Sequence, residues 1–370
     1  MTGAVAFEPP PYPYDRVDRF RPLGDAFEGG LIDFSIGTPC DPPAAVVREA
    51  LATSDSERGY PPSVGTAALR GAAQRWIARR FGIHVELSAI AACVGTKEFV
   101  ATLPQWLRLR RPDRDTVLYP AIAYPTYEMG AILAGCRAVP VPLGPDGGLD
   151  LAAISSGDAD RALALWVNSP GNPSGALDDL GAAAAWGREH GVPVFSDECY
   201  VEFTWQGGPR TILEHGLDGV VAVHSLSKRS NLAGGRVGFY AGDPELVHYL
   251  SEVRKHVGMM VPGPMQAAGA AALDDDAHVE AQRERYRARL ARMAAVLAAW
   301  SGVDVALPAG GFYLWIPVDD AWAFTERLAR EGGALVSPGE FYGDAGAGFV
   351  RVAVMQPDAA VETVAARLGV

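Results

Sequence analysis

Along most of this 370-residue chain, apolar runs of strand length alternate with alanine-rich stretches of helical period. A strand-length run, a helical segment and another run make the pattern of parallel βαβ units, with helices covering the sheet. The fold class is therefore expected to be α/β. Strands are predicted at residues 89–94, 115–120, 162–168, 192–197, 219–225 and 235–242. After Pro262 the character changes. Residues 265–300 are helical in composition and carry Arg283, Arg285, Arg287, Arg289 and Arg292, which read as a solvated helix face. A shorter α+β stretch follows, with strands at 312–318 and 349–354. Residues 41–262 are thus expected to form a large domain with a mostly parallel central sheet flanked by helices, and residues 263–370 a smaller α+β domain. Residues 1–40 are assigned to an arm and part of the small domain, because PPPYPY at residues 9–14 is a poor core segment.

Charge and composition exclude several classes. A net charge of −12 opposes sequence-independent binding to nucleic-acid phosphates or acidic membrane surfaces, which needs clustered cations. Neither nucleic acid nor membrane is an expected partner. The start, MTGAVAFEPPPYPYD, has no basic stretch followed by an apolar one, and no segment is long and apolar enough to span a bilayer, so a cytoplasmic location is expected. Cys40, Cys93, Cys136 and Cys199 are scattered without a C-x-x-C pair or metal-ligand spacing. They read as reduced thiols, with no metal site.

Ligands of open α/β sheets collect at the carboxyl ends of the strands, and four polar clusters fall there. Lys228, one of only three lysines, directly follows the run GVVAVHS. Ser225 and Ser227 beside it offer hydroxyls, and Arg236 follows in GGRVG, where glycines let backbone approach an anion. Gly95, Thr96 and Lys97 join strand 89–94 to a helix whose first N–H groups favour a phosphate, although Thr96 equally reads as a plain N-cap. Asp197 ends the strand in VFSDECY, three residues before Tyr200. Buried there, its carboxylate needs a cationic partner or several donors. Asn172, in the turn VNSPGNPSG, presents an amide at the same edge.

One cofactor unites the four clusters: pyridoxal 5′-phosphate. Its aldehyde condenses with a lysine amine, its phosphate needs donors and a helix start, and its ring nitrogen must stay protonated. Asp197 would hold that proton. Asn172 and Tyr200 would hydrogen-bond the phenolic oxygen, and Tyr124 in AYPTYE would stack on the ring or else pack in the core. In FVRVAV, alternation puts Arg351 on a face with Phe349 and Ala353. A guanidinium among apolar neighbours suits a substrate carboxylate, a rim position being the other reading.

In their order and spacing, Asn172, Asp197, Tyr200, Lys228 and Arg236 resemble the set of the fold-type I aminotransferases. Within them the chain is most similar to the actinobacterial N-succinyldiaminopimelate aminotransferases. The similarity runs through FSIGTPCDPP, GYPPSVGTAALR, VGTKEF, AYPTYE, SDECY, HSLSKRSNLAG, RKHVGMMVPGPMQAA, DDDAHVEAQRERY and SPGEFYG. The resemblance implies a ping-pong transamination between an amino acid and a 2-oxo acid, nominally N-succinyldiaminopimelate and 2-oxoglutarate. It also implies a homodimer in which Tyr60 reaches the partner's cofactor phosphate, with Gly37 lining the substrate carboxylate and Arg351 binding it. The chain departs from that group at Gly235, where the group carries tyrosine, at NPSG in place of NPTG, and after Trp315, where Asp319 and Asp320 replace a differently charged stretch. If these aspartates face the substrate, they disfavour a succinylated donor. If they face solvent, distal contacts fall to residues such as Arg21 or the arm. A paralogue with another donor, or a carbon–sulfur β-lyase of the same fold, is the alternative.

Overall fold

The computed structural model describes residues 7–56 and 58–370. Twelve strands are assigned among them. They are β1 (Ile32–Asp33), β2 (Ile90–Cys93), β3 (Thr116–Pro120), β4 (Arg137–Val141), β5 (Ala162–Asn168), β6 (Val194–Asp197), β7 (Val220–Ser225), β8 (Gly238–Gly242), β9 (Tyr313–Pro317), β10 (Ala334–Leu335), β11 (Ser337–Pro338) and β12 (Phe349–Ala353). Seven of them form one sheet in the order β2-β8-β7-β6-β5-β3-β4. Only β8 runs against its neighbours, so the chain is α/β around a mixed, mostly parallel sheet.

The sheet is buried on both faces, which is why its strands read as continuous apolar runs and not as alternating ones. Every residue of β5 is buried. Leu165 and Val167 pack toward the helices Ala67–Phe81 and Leu180–His190. Trp166 packs the other way with Phe195 and Tyr240, against the helices Thr96–Arg110, Thr126–Leu133 and Pro244–Val257. The edge strand β4 went unpredicted because RAVPV carries Arg137 and Pro140, and a proline is tolerated at an edge.

The helical stretch over residues 265–300 forms two helices, Gly263–Asp274 and Ala277–Ser301, because the Asp274–Asp276 run has poor helical propensity and Asp275 is extended. One expectation there is corrected: Arg289 is not on a solvated face. It is 5% exposed, and its guanidinium bridges Asp41 and Asp358 at 2.6 Å each.

A three-stranded antiparallel sheet, β11-β12-β9, and the parallel pair β1–β10 complete the molecule. The 3-10 segment Pro13–Ala26 lays Val17 and Phe20 against Ala329, Leu335, Phe341 and Tyr342. Residues 13–33 are therefore packed onto the C-terminal third of the chain, beside β12 and its Arg351. No helix among the described residues is long and apolar enough to cross a membrane.

Candidate active site

Strand register decides which side chains meet at the carboxyl edge of the large sheet. Asn168 is level with Asp197, and Asp197 with Val223. Ser225 is level with Gly238, and Gly238 with Cys93. The ends of β2, β5, β6 and β7, and the start of the antiparallel β8, therefore open on one cavity of about 430 Å³. Gly37, Thr96, Lys97, Tyr124, Asn172, Asp197, Tyr200, Ser225, Ser227, Lys228, Arg236 and Arg351 all line it.

Lys228 is carried by the four-residue helix Leu226–Arg229, capped by Ser225, whose hydroxyl oxygen accepts from Ser227 N at 3.1 Å. The next residue anchors the turn: buried Arg229 pairs with Glu202 and Asp276, each at 3.0 Å. Lys228 Nζ donates to the carbonyl of Gly37. The residue keeps partial exposure to the cavity while its amine lies deep in the wall. Burial, with the Arg351 and Arg236 guanidiniums adding to it, pushes the amine down to about 8.

Arg236 is not within a strand as expected. It occupies a left-handed turn, φ 52°, ahead of β8, and its guanidinium donates to Ala233 O at 2.9 Å beside Ser227 Oγ. It lies over Gly95, where a Cβ would collide with it and where φ is +74°. Gly95 itself is the N-cap of the helix Thr96–Arg110 and offers no side-chain cap. The N-cap reading of Thr96 is thus corrected: it is the first helical residue, and its hydroxyl faces Cys199 Sγ at 3.3 Å. Open helical N–H groups, a hydroxyl and a guanidinium gather there, as an anion requires. Lys97 turns to the mouth, where its amine donates to Tyr12 Oη at 3.0 Å.

Asp197 accepts from Tyr127 Oη at 2.9 Å and from Cys199 N at 3.1 Å. Both donors are neutral, and burial pushes the carboxyl up. A protonated ring nitrogen is the partner this buried acid lacks, so the donor set fits pyridoxal 5′-phosphate. Arg351 is 1% exposed, which removes the rim reading. It donates to Asn172 Oδ1 at 2.9 Å and to Ser35 O, its Nε has no partner, and the rings of Tyr14, Tyr313 and Tyr342 surround it at 5.5, 4.3 and 4.7 Å. Tyr200 Oη lies 3.0 Å from Tyr313 Oη.

Tyr60 does not join the cavity and is 96% exposed. Asp320 caps the helix Ala321–Gly332, Asp319 is exposed, and Arg21 pairs with Asp18 and Asp33. None of these lines the cavity. At Gly235 a Cβ would press on Leu232 and Met265, which fill the space a larger side chain needs. Asn168, Tyr127, Tyr313, Tyr12 and Tyr14 were not singled out from sequence. Tyr127 stands three residues after Tyr124 in the same motif, and Tyr313 shares the FYLWIPV run. Both look like ordinary core aromatics.

Residues 30–368 match the family model of aminotransferase class I and II. The chain is 42% identical to the 4-dedimethylamino-4-oxo-anhydrotetracycline transaminase OxyQ of Streptomyces rimosus, over 98% of this chain and 99% of that protein. It is 34% identical to the LL-diaminopimelate aminotransferase of Aquifex aeolicus, over 94% and 93%. Among solved structures, a probable N-succinyldiaminopimelate aminotransferase of Thermus thermophilus superposes with a TM-score of 0.84 at 32% identity, covering 96% of this chain and 98% of that one. The chain belongs to the class I and II aminotransferases and is a pyridoxal 5′-phosphate-dependent transaminase of fold type I.

Proposed function

We propose that this transaminase takes N-succinyldiaminopimelate as amino donor and 2-oxoglutarate as acceptor, with Lys228 as the proton carrier. The observation that carries the catalytic reading is the convergence of the Lys228 amine, the Asp197 carboxyl and the Arg351 guanidinium on one cavity. Arg236, Ser225, Ser227 and the N–H groups at Gly95 and Thr96 hold the cofactor phosphate. Asp197 keeps the proton on the ring nitrogen, Asn172 and Tyr200 serve the phenolic oxygen, and Tyr124 covers the ring face. When bound, pyridoxal 5′-phosphate supplies an aldehyde that links to an amine and a cationic ring that withdraws electrons from the substrate's α-carbon. Arg351, beside Asn172 and Gly37, fixes the α-carboxylate. Lys228 Nζ would take the proton from the donor's α-carbon and carry it within the same cavity. Two half-reactions sharing one site make the kinetics ping-pong. Tyr60 completes the phosphate site of a partner subunit in a homodimer.

The donor assignment is supported by the position of Asp319 and Asp320 away from the cavity, which removes the acidic charge that would oppose an anionic substrate. Lys97, exposed at the mouth, suits a carboxylate beyond the reacting carbon. A second reading, a paralogous transaminase with another substrate, is supported by the crowding at Gly235 and by the identity to OxyQ. A carbon–sulfur β-lyase would share the cofactor residues and differ in releasing pyruvate and ammonia. The test is a panel of donors with 2-oxoglutarate, comparing kcat/KM for N-succinyldiaminopimelate, glutamate, and neutral and basic amino acids. A strong preference for the succinylated donor is expected. Efficient use of another donor with no turnover of the succinylated one would overturn the assignment.

A further inference from the structure

The contact between Tyr200 and Tyr313 carries information that neither residue holds alone. Both are buried, both line the cavity, and their hydroxyls stand 3.0 Å apart. Each hydroxyl has one hydrogen, so a single hydrogen lies between the two oxygens and the other must point elsewhere. Which tyrosine donates therefore decides which one aims its hydrogen into the cavity.

Three observations select Tyr313 as the donor. Its ring lies 4.3 Å from the Arg351 guanidinium, and an adjacent positive charge makes a phenol the stronger acid and better donor. Burial raises both hydroxyls, but the Arg351 charge holds that of Tyr313 to about 12, while that of Tyr200 lies well above its ordinary value. Crowding is the third. A Cβ on Gly37 would collide with Tyr313 Oη, so the backbone that accepts from Lys228 also closes one side of this hydroxyl.

We infer that Tyr313 is a positioning residue: by donating to Tyr200 it turns the Tyr200 hydrogen toward the cofactor's phenolic oxygen and links that oxygen to the carboxylate-binding Arg351. The inference rests on the reading above, in which Tyr200 faces the phenolic oxygen. β12 and β9 bring Arg351 and Tyr313 to the same face of the small sheet, with Arg351 level with Trp315 and Ala353 with Tyr313. The end of β6 supplies Tyr200. The pair thus joins two sheets across the site.

The experiment is a spectrophotometric pH titration of the holoenzyme's lysine-linked chromophore in four proteins: wild type, Tyr313→Phe, Tyr200→Phe and the double variant. A weaker donor leaves the phenolic oxygen more basic. Tyr313→Phe should raise the midpoint by about one pH unit, the scale of one net hydrogen bond. Tyr200→Phe should raise it further, and Tyr313→Phe should add nothing in the Tyr200→Phe background. The phenylalanine at 313 keeps the ring over Arg351, so the thermal midpoint and cofactor affinity should stay near wild type. An unshifted Tyr313→Phe beside a shifted Tyr200→Phe would overturn the inference alone. An additive double variant would do the same, because Tyr313 would then act independently of Tyr200. If Tyr200→Phe itself does not shift, the placement of Tyr200 against the phenolic oxygen fails and the inference fails with it.

Discussion

Burial holds the Lys228 amine to about 8, and only the neutral amine adds to an aldehyde. Because the value is lowered from that of free lysine, the charged form dominates below pH 8 and the nucleophile above it. Apoprotein should therefore bind pyridoxal 5′-phosphate covalently at a rate that climbs as pH rises toward 8 and then levels off, followed by its visible absorbance. Lys228→Ala should form no such linkage at any pH and lose nearly all transamination. A rate that is flat across pH 8 would show that the amine is not held as the geometry suggests. This residue was legible in the sequence because a lysine has no business at the end of a buried apolar strand. Asp197 and Arg351 stood out for the same reason, being charges among residues that bury. Tyr127, which donates to Asp197, did not stand out, since tyrosine is at home in a core and nothing local distinguishes a packed phenol from a working one.

At the scale of elements, the phosphate side of the site depends on backbone that only glycine accepts. Gly95 combines a φ of +74° with a Cα turned against Arg236. Gly95→Ala should lower the thermal midpoint of the apoprotein through strain at a positive φ and, by displacing the Arg236 guanidinium, weaken cofactor binding by roughly tenfold or more. Fluorescence titration of the apoprotein measures this, and unchanged affinity would remove Gly95 and Arg236 from the phosphate site. The predicted strands agree with the observed ones to within three residues at their ends, and β5 was predicted at its observed limits. Two-residue strands such as β1, β10 and β11 were not readable, because so short a segment has no period to detect. The burial of Arg289 was also out of reach, because it depends on Asp41 and Asp358, partners distant in sequence.

At the scale of the whole molecule, Tyr60 is 96% exposed on the single chain and does not line its cavity. If it serves a partner's phosphate site, mixing the inactive Tyr60→Phe and Lys228→Ala proteins should restore activity in hybrid dimers, which hold one site with both native residues. A monomer in sedimentation, or hybrids without activity, would contradict that assembly. The sequence by itself determined the α/β class, the buried parallel strands and the polar residues that end them. Each of these is written in local periodicity and in charges placed where burial is costly. Only the tertiary structure decided that Tyr313 touches Tyr200, that Tyr14 and Tyr342 enclose Arg351, and that Asp319 and Asp320 stay outside the cavity. Those facts depend on strand register and on the packing of residues 13–33 against the C-terminal third of the chain, and contacts between segments hundreds of residues apart leave no mark on the local pattern of either.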